Sequence, residues 1–222
     1  MYRPSAIVFD WDNTLIDAWP CILACYNATF RHFGMREWTM EEGKRNIARS
    51  LRDSFPEMFG DRWEEAREVY FEGFRAVHLE QMVPFAGVAD VLGALRDLDI
   101  YLAVVSNKTG RFLRAEADAL GWTGLFGALV GATDAERDKP DPAPVRMALE
   151  PGGIEPGPHV WFVGDSAIDL QCGAQSGCVS ILQRPEPPAD GEFLTYPPHA
   201  YAKDSHHLLA LIRELPVFNT KK

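Results

Sequence analysis

Four apolar residues, Ala6-Ile7-Val8-Phe9, end abruptly at Asp10, with Asp12 and Thr14 following at alternate positions. A short, β-rich apolar run predicts a strand buried on both faces, as in a parallel sheet. The period then changes. From Ala18 to Gly34 apolar residues recur at Ile22, Tyr26, Phe30 and Phe33, the stripe of an amphipathic helix. Glu41 to Leu51 reads as a charge-rich helix. Trp63 to Leu79 repeats the helical stripe through Ala66, Tyr70, Phe74 and Val77, and no strand signal intervenes before Pro84.

Beyond Pro84 helix and strand alternate. Val88 to Leu98 is a predicted helix and Ile100 to Val105 a strand ending at Ser106 and Asn107. Thr109 to Leu120 is a helix stopped by Gly121, and Ala128 to Val130 a short strand. Pro142 to Leu149 is a helix, Val160 to Val163 a strand ending in Gly164-Asp165, and Ala167 to Gln175 a helix. Val179 to Leu182 is the last predicted strand. A Pro-rich stretch from Gln183 to His199 reads as a surface excursion, and Ser205 to Leu215 closes the chain as a helix. This alternation predicts an α/β fold: a Rossmann-like parallel-sheet core covered on both faces. The helical stretch breaks the alternation, so it is expected to be an α-helical cap domain inserted after the first strand. The expected division is a core of residues 1–16 and 85–222 and a cap of residues 17–84.

Composition narrows the partners. The chain has 222 residues, enough for one large domain or a core plus a small insert. Its formal net charge is -10 and no basic stripe offsets it, which argues against nucleic acid and against an anionic membrane surface. No apolar stretch reaches membrane-spanning length, no signal peptide is read at the N-terminus, and Cys21, Cys25, Cys172 and Cys178 form no C-x-x-C pair. A cytoplasmic protein with reduced thiols is the expectation.

The chemistry gathers at strand ends. Asp10 with Asp12, Ser106 with Asn107, and Asp165 each close a predicted strand, where ligands bind in open α/β sheets. Lys139 lies in Lys-Pro-Asp-Pro just before a helix. Taken in order, Asp10-x-Asp12-x-Thr14, Ser106, Lys139 and Gly164-Asp165-x-x-x-Asp169 resemble the four signatures of the haloacid dehalogenase superfamily of phosphohydrolases. The helical insert lies where that family carries its helical cap. The likeness spans Ile7 to about Leu182. The cap type and Asn107-Lys108 resemble the phosphoglycolate phosphatase-like branch.

This resemblance implies hydrolysis of a small phosphomonoester through an aspartyl-phosphate on Asp10, with Asp12 as general acid and base. It implies Mg²⁺ held by the Asp10 carboxylate, the Asp12 main-chain carbonyl and Asp165. It implies phosphate binding by Thr14, Ser106, Asn107 and Lys139, with Asp169 orienting Lys139 or the water around the metal. A carboxylate at position 12 favours phosphate esters, since dehalogenases of the superfamily lack one there. The physical need is plain: nucleophile and phosphate are both anions, and each such repulsion at ~4 Å and effective ε ~20 is worth about 4 kcal/mol. A hard dication and a fixed lysine would offset it. Lys108 as a phosphate contact, and Arg49 or Arg52 as cap residues touching substrate, are weaker candidates. A sugar-phosphate phosphomutase and a non-catalytic binding module are the alternative classes. No oligomeric state is read from the sequence.

Overall fold

Chain order places the elements as follows in a computed structural model, which describes residues 1–217. β1 (Ala6–Phe9) is followed by the two-residue β2 (Ile16–Asp17), then four helices: α1 (Trp19–His32), α2 (Met40–Asn46), α3 (Leu51–Phe59) and α4 (Trp63–Gln81). β3 (Val83–Pro84) returns the chain to α5 (Val88–Arg96), β4 (Tyr101–Thr109), α6 (Gly110–Ala119) and β5 (Ala128–Ala132). α7 (Ala143–Leu149), β6 (Val160–Gly164), α8 (Ala167–Gln175), β7 (Val179–Gln183), β8 (Ala200–Ala202) and α9 (Ser205–Glu214) complete it.

The sheet is six-stranded, ordered β5-β4-β1-β6-β7-β8, and every pairing is parallel. β1 lies between β4 and β6 and is buried on both faces, as its unbroken apolar run requires. Its side chains alternate. Ile7 and Phe9 join the layer beneath α5 and α9 with Leu92, Leu95, Leu208 and Ile212. Ala6 and Val8 join the layer beneath α7 with Val145 and Leu149. Because Phe9 is level with Val104 of β4 and Val163 of β6, the carboxyl ends of these three neighbours finish side by side. Strand register thus brings residues 10, 106 and 165 together across a sequence span of more than a hundred residues.

The helical insert has its own core. Tyr26 and Phe30 of α1, Phe55 of α3 and Tyr70 and Phe74 of α4 pack edge-on and stacked, and Phe112 of α6 joins them from below. The α1 stripe expected from the sequence is therefore interior.

Three details differ from the sequence reading. The helix expected over Glu41–Leu51 stops at Asn46, and a separate one starts only at Leu51. α2 starts at a Thr39–Glu42 capping box and ends at Asn46; Ile47 is extended; α3 begins after the extended Ser50. α3 was hidden by Pro56, which forfeits one intrahelical hydrogen bond but does not end the helix. The insert is also flanked by strands: β2 and β3 pair antiparallel, too short to leave a period. β8 closes the sheet edge where the Pro-rich stretch ends.

Candidate active site

Asp10 follows the last residue of β1, and its backbone N–H donates to Val163 O at 2.8 Å. Its side chain sits on the floor of a cleft of about 750 Å³ between the sheet's carboxyl edge and the insert. Lys139 reaches into this floor and is almost wholly buried. Its Nζ donates to Asp10 Oδ1 at 2.6 Å and to Asp169 Oδ1 at 2.7 Å. Asp169 caps the start of α8: its Oδ2 accepts from Ser166 Oγ at 2.6 Å and Ser166 N at 3.1 Å. Gly164 makes room for this arrangement, since a Cβ there would overlap the Asp169 side chain.

Asp165 completes the floor. Oxygens of Asp10, Asp165 and Asp169 lie within 4.8 Å of one another. Among the described residues no lysine, arginine or histidine pairs with Asp165. Burial pushes its carboxyl well above the ordinary carboxylate range, and the charges of Asp169 and Asp10 push the same way. Burial likewise lifts Asp10 to about 7 against the opposing pull of Lys139, and lifts Asp12 against that of Lys108. Both oxygens of Asp169 are already taken by Lys139 and Ser166. Asp10 and Asp165 are left as oxygen donors around one ammonium, a donor set that fits a small hard dication.

This crowding predicts a reversed pH dependence of stability in the metal-free protein. A carboxyl raised in the folded state binds its proton more tightly there than in the unfolded chain. Folding is then favoured at low pH, and that stability is lost as pH climbs from about 4 towards 7. The carboxyls held low by surface arginines, such as Glu42 and Glu57, act only below this window. In EDTA the midpoint of thermal unfolding should fall by several degrees between pH 5 and pH 7.5, and millimolar Mg²⁺ should restore it at pH 7.5. A flat profile in EDTA would refute the reading.

The cleft wall carries most of the other sequence candidates. Asn107 bridges two loops: Nδ2 donates to Lys139 O at 3.3 Å and to Ala48 O of the insert at 3.1 Å, and Oδ1 accepts from Lys139 N at 3.1 Å. Ser106 Oγ accepts from Lys108 N at 3.2 Å. Thr14 is not brought to the wall. It is buried, its Oγ1 has no partner among the described residues, and its carbonyl accepts from Gln183 Nε2.

Lys108 also lines the cleft, but its ammonium is engaged by two carboxylates. Its Nζ forms an ion pair with Asp12 Oδ1 at 2.7 Å and donates to Glu116 Oε2 at 2.6 Å. Arg52 is drawn to Asp138 beside Lys139, with Nη2 at 2.7 Å from Oδ1. Arg49 lies on the wall but pairs with Glu57. Trp11 is fully buried and donates to Glu116 Oε2 at 2.7 Å.

Two features escaped the sequence reading. Glu116 and His78 are buried charged or polar groups behind the site; an acidic residue among Phe112, Leu113 and Ala117 on one helix face was the available signal. The Pro-rich stretch is more than a surface excursion: Arg184, Pro185 and Phe193 form part of the cleft mouth. The chain holds this loop by the Arg184–Glu192 ion pair.

Comparison with known proteins agrees with this geometry. The family model for haloacid dehalogenase-like hydrolases matches residues 7–182. A phosphoglycolate phosphatase of Aquifex aeolicus is 32% identical over 180 residues, covering 79% of this chain and 83% of that protein. The pyrophosphatase PpaX of Bacillus velezensis is 29% identical over 175 residues, covering 79% and 81%. Among solved structures, a haloacid dehalogenase superfamily hydrolase of Ehrlichia chaffeensis is 28% identical, with a TM-score of 0.66 and coverage of 97% and 98%. A haloacid dehalogenase-like protein of Streptococcus pneumoniae, 21% identical, shares the fold at a TM-score of 0.81 over 94% of this chain and 98% of that one. With its sheet, its carboxylate cluster and the stretch from Ile7 to Leu182 all in agreement, the chain belongs to the haloacid dehalogenase-like hydrolase family.

Proposed function

We propose that the protein is a Mg²⁺-dependent phosphatase that hydrolyses a small phosphomonoester through a phosphorylated Asp10. The observation that carries this reading is the convergence of Asp10, Lys139 and Asp165 on the floor of one cleft, with Asp12 alongside. Mg²⁺ would be held by the Asp10 carboxylate, the Asp12 carbonyl and Asp165, and when bound would neutralise charge on nucleophile and phosphate. Lys139 adds a fixed positive charge beside Asp10 Oδ1, and Ser106 and Asn107 supply hydrogen bonds to the phosphoryl oxygens.

In the first step an Asp10 carboxylate oxygen bonds to phosphorus while the ester P–O bond breaks. Asp12 gives its proton to the departing alkoxide oxygen. In the second step water attacks the same phosphorus, Asp12 takes a proton from it, and the Asp10–phosphorus bond breaks to release inorganic phosphate. Both roles are supported by the Asp12 side chain being turned to Lys108, outside the carboxylate cluster. Asp169 orients Lys139.

Residues 1–16 and 85–222 are assigned as the catalytic core, of which 218–222 lie outside the described residues, and residues 17–84 as a cap that excludes water from the first step. The β2–β3 ribbon at the junction, and the Arg52–Asp138 and Asn107–Ala48 contacts across it, support that division. The test is phosphate release from a panel of phosphomonoesters, phosphoglycolate and pyrophosphate included, with and without Mg²⁺. Mg²⁺-dependent release from at least one monoester is expected. Isomerisation of a sugar phosphate without release would replace this reading with a phosphomutase, and silence across the panel would favour a binding module.

A further inference from the structure

Behind Asp12 runs a line of polar groups that the mechanism so far does not use. Lys108, at the end of β4, is 2.7 Å from Asp12 Oδ1 and 2.6 Å from Glu116 Oε2. Glu116, in α6, also accepts from Trp11 Nε1 at 2.7 Å, and its Oε1 pairs with His78 Nδ1 at 2.9 Å. A carboxylate only accepts, so the Nδ1 of His78 is the donor. His78 belongs to α4, the last helix of the insert, and stacks on Phe74. The side chains of Lys108, Glu116 and His78 are each no more than 5% exposed. Four segments therefore contribute one link each, from the insert to the residue assigned as acid and base.

As a stability device the line is a poor one. Replacing a buried ion pair with apolar residues of similar volume is often neutral or stabilising, and the surroundings here are already aromatic. Its geometry suits another purpose. Asp12 sits beside Asn13, whose φ of 63° lies in the left-handed region, and next to a floor of three carboxylates. A carboxylate at such a bend would be pushed out by those neighbours unless a fixed cation held it. Lys108 is that cation: the Asp12 and Glu116 carboxylates engage its ammonium, which also lies over the Phe74 ring, 5.2 Å from the centroid. A misplacement of about 1 Å at a reacting group can cost on the order of 100-fold in rate.

We propose that Lys108 is a positioning residue that fixes the Asp12 carboxyl for proton transfer, and that Glu116 and His78 tie this placement to the seating of α4. The inference rests on the phosphatase reading above and deepens it. Lys108 is thereby assigned to the acid–base residue and not to the phosphate.

Leaving-group dependence tests it. Loss of a placed acid harms esters whose leaving alkoxide needs a proton, and spares those whose leaving group departs as a stable anion. The parameter is kcat/KM, which covers steps up to phospho-enzyme formation and omits the hydrolysis common to all substrates. For Lys108→Met, kcat/KM for an alkyl phosphomonoester that the wild type hydrolyses should fall about 100-fold or more, while that for p-nitrophenyl phosphate falls less than about 10-fold. Inhibition by inorganic phosphate should keep its wild-type constant. Glu116→Gln keeps the shape, so it reports even if the lysine variant does not fold; it should show the same selective loss, at about 10-fold. Equal losses on both esters, or weakened phosphate inhibition, would overturn the proposal. No selective loss in Glu116→Gln would overturn the link to α4. If wild-type protein releases no phosphate, the phosphatase reading itself has failed, an outcome visible before any variant is compared.

Discussion

Asp10→Asn should abolish phosphate release while leaving the protein folded and at least as stable in EDTA. An amide oxygen cannot form the acyl phosphate, so a loss of more than about 1,000-fold is expected, limited by residual wild-type contamination. The stability half follows from the site. Asp10 is buried against Asp165 and Asp169, and burial already pushes its carboxyl up to about 7. A neutral isostere relieves that crowding. Its backbone N–H bond to Val163 is unaffected, and Lys139 keeps Asp169 as a partner. Phosphate release from the ester that the wild type prefers, together with thermal unfolding in EDTA, checks both halves. Turnover within tenfold of wild type would remove Asp10 from the chemistry. A large drop in the unfolding midpoint would mean that Asp10 is mainly a structural partner of Lys139.

The opposite pattern is expected for Lys139→Met, where both activity and stability fall. Removing one partner of a buried charge network leaves the others uncompensated, typically at about 3–5 kcal/mol. Here Asp10 and Asp169 both lose their ammonium, and Lys139 is only 2% exposed, so solvent offers little relief. For a chain of this size that corresponds to roughly 6–20 °C in the unfolding midpoint in EDTA. Mg²⁺ should recover part of the stability, because a dication can take the place of the lost charge between Asp10 and Asp165. Activity should not recover, falling by about 100-fold or more for want of the fixed charge at the phosphoryl group. The double variant Asp10→Asn/Lys139→Met should be less destabilised than the sum of the singles, since the asparagine removes one of the orphaned charges. An additive result would show that the two residues do not share one electrostatic site.

Much of this site could be read along the chain because parallel sheets convert strand ends into neighbours. Asp10, Ser106 and Asp165 each close an apolar run, and the order β4-β1-β6 sets those ends together. Lys139 was legible from its place before a helix, and the structure puts its Nζ on two of the expected carboxylates. Less was legible where a side chain's partner is fixed by packing between elements. Lys108 was only a weaker candidate for a phosphate contact, and its partners could not be read: only the approach of α6 and α4 supplies Glu116 and His78 and sets the Lys108 ammonium between Asp12 and Glu116. Arg52 was a weaker candidate whose partner could not be read either, because Asp138 becomes its neighbour only when the insert is seated on the core. α3 went unread and the Pro-rich stretch was read only as a surface excursion, for a related reason. Proline discourages regular structure locally, but packing under Tyr26 and Tyr70, or an Arg184–Glu192 pair, settles what the segment does.

The sequence by itself determined the α/β architecture and which polar residues close the strands, Asp10, Ser106 and Asp165 among them. Those depend on the alternation of apolar periods and on residue type, both local properties. Only the tertiary structure decided which charge answers which. Coulombic and hydrogen-bond partnerships fall off within a few ångströms, and such distances between α4, α6 and the sheet exist only after the insert and core have packed.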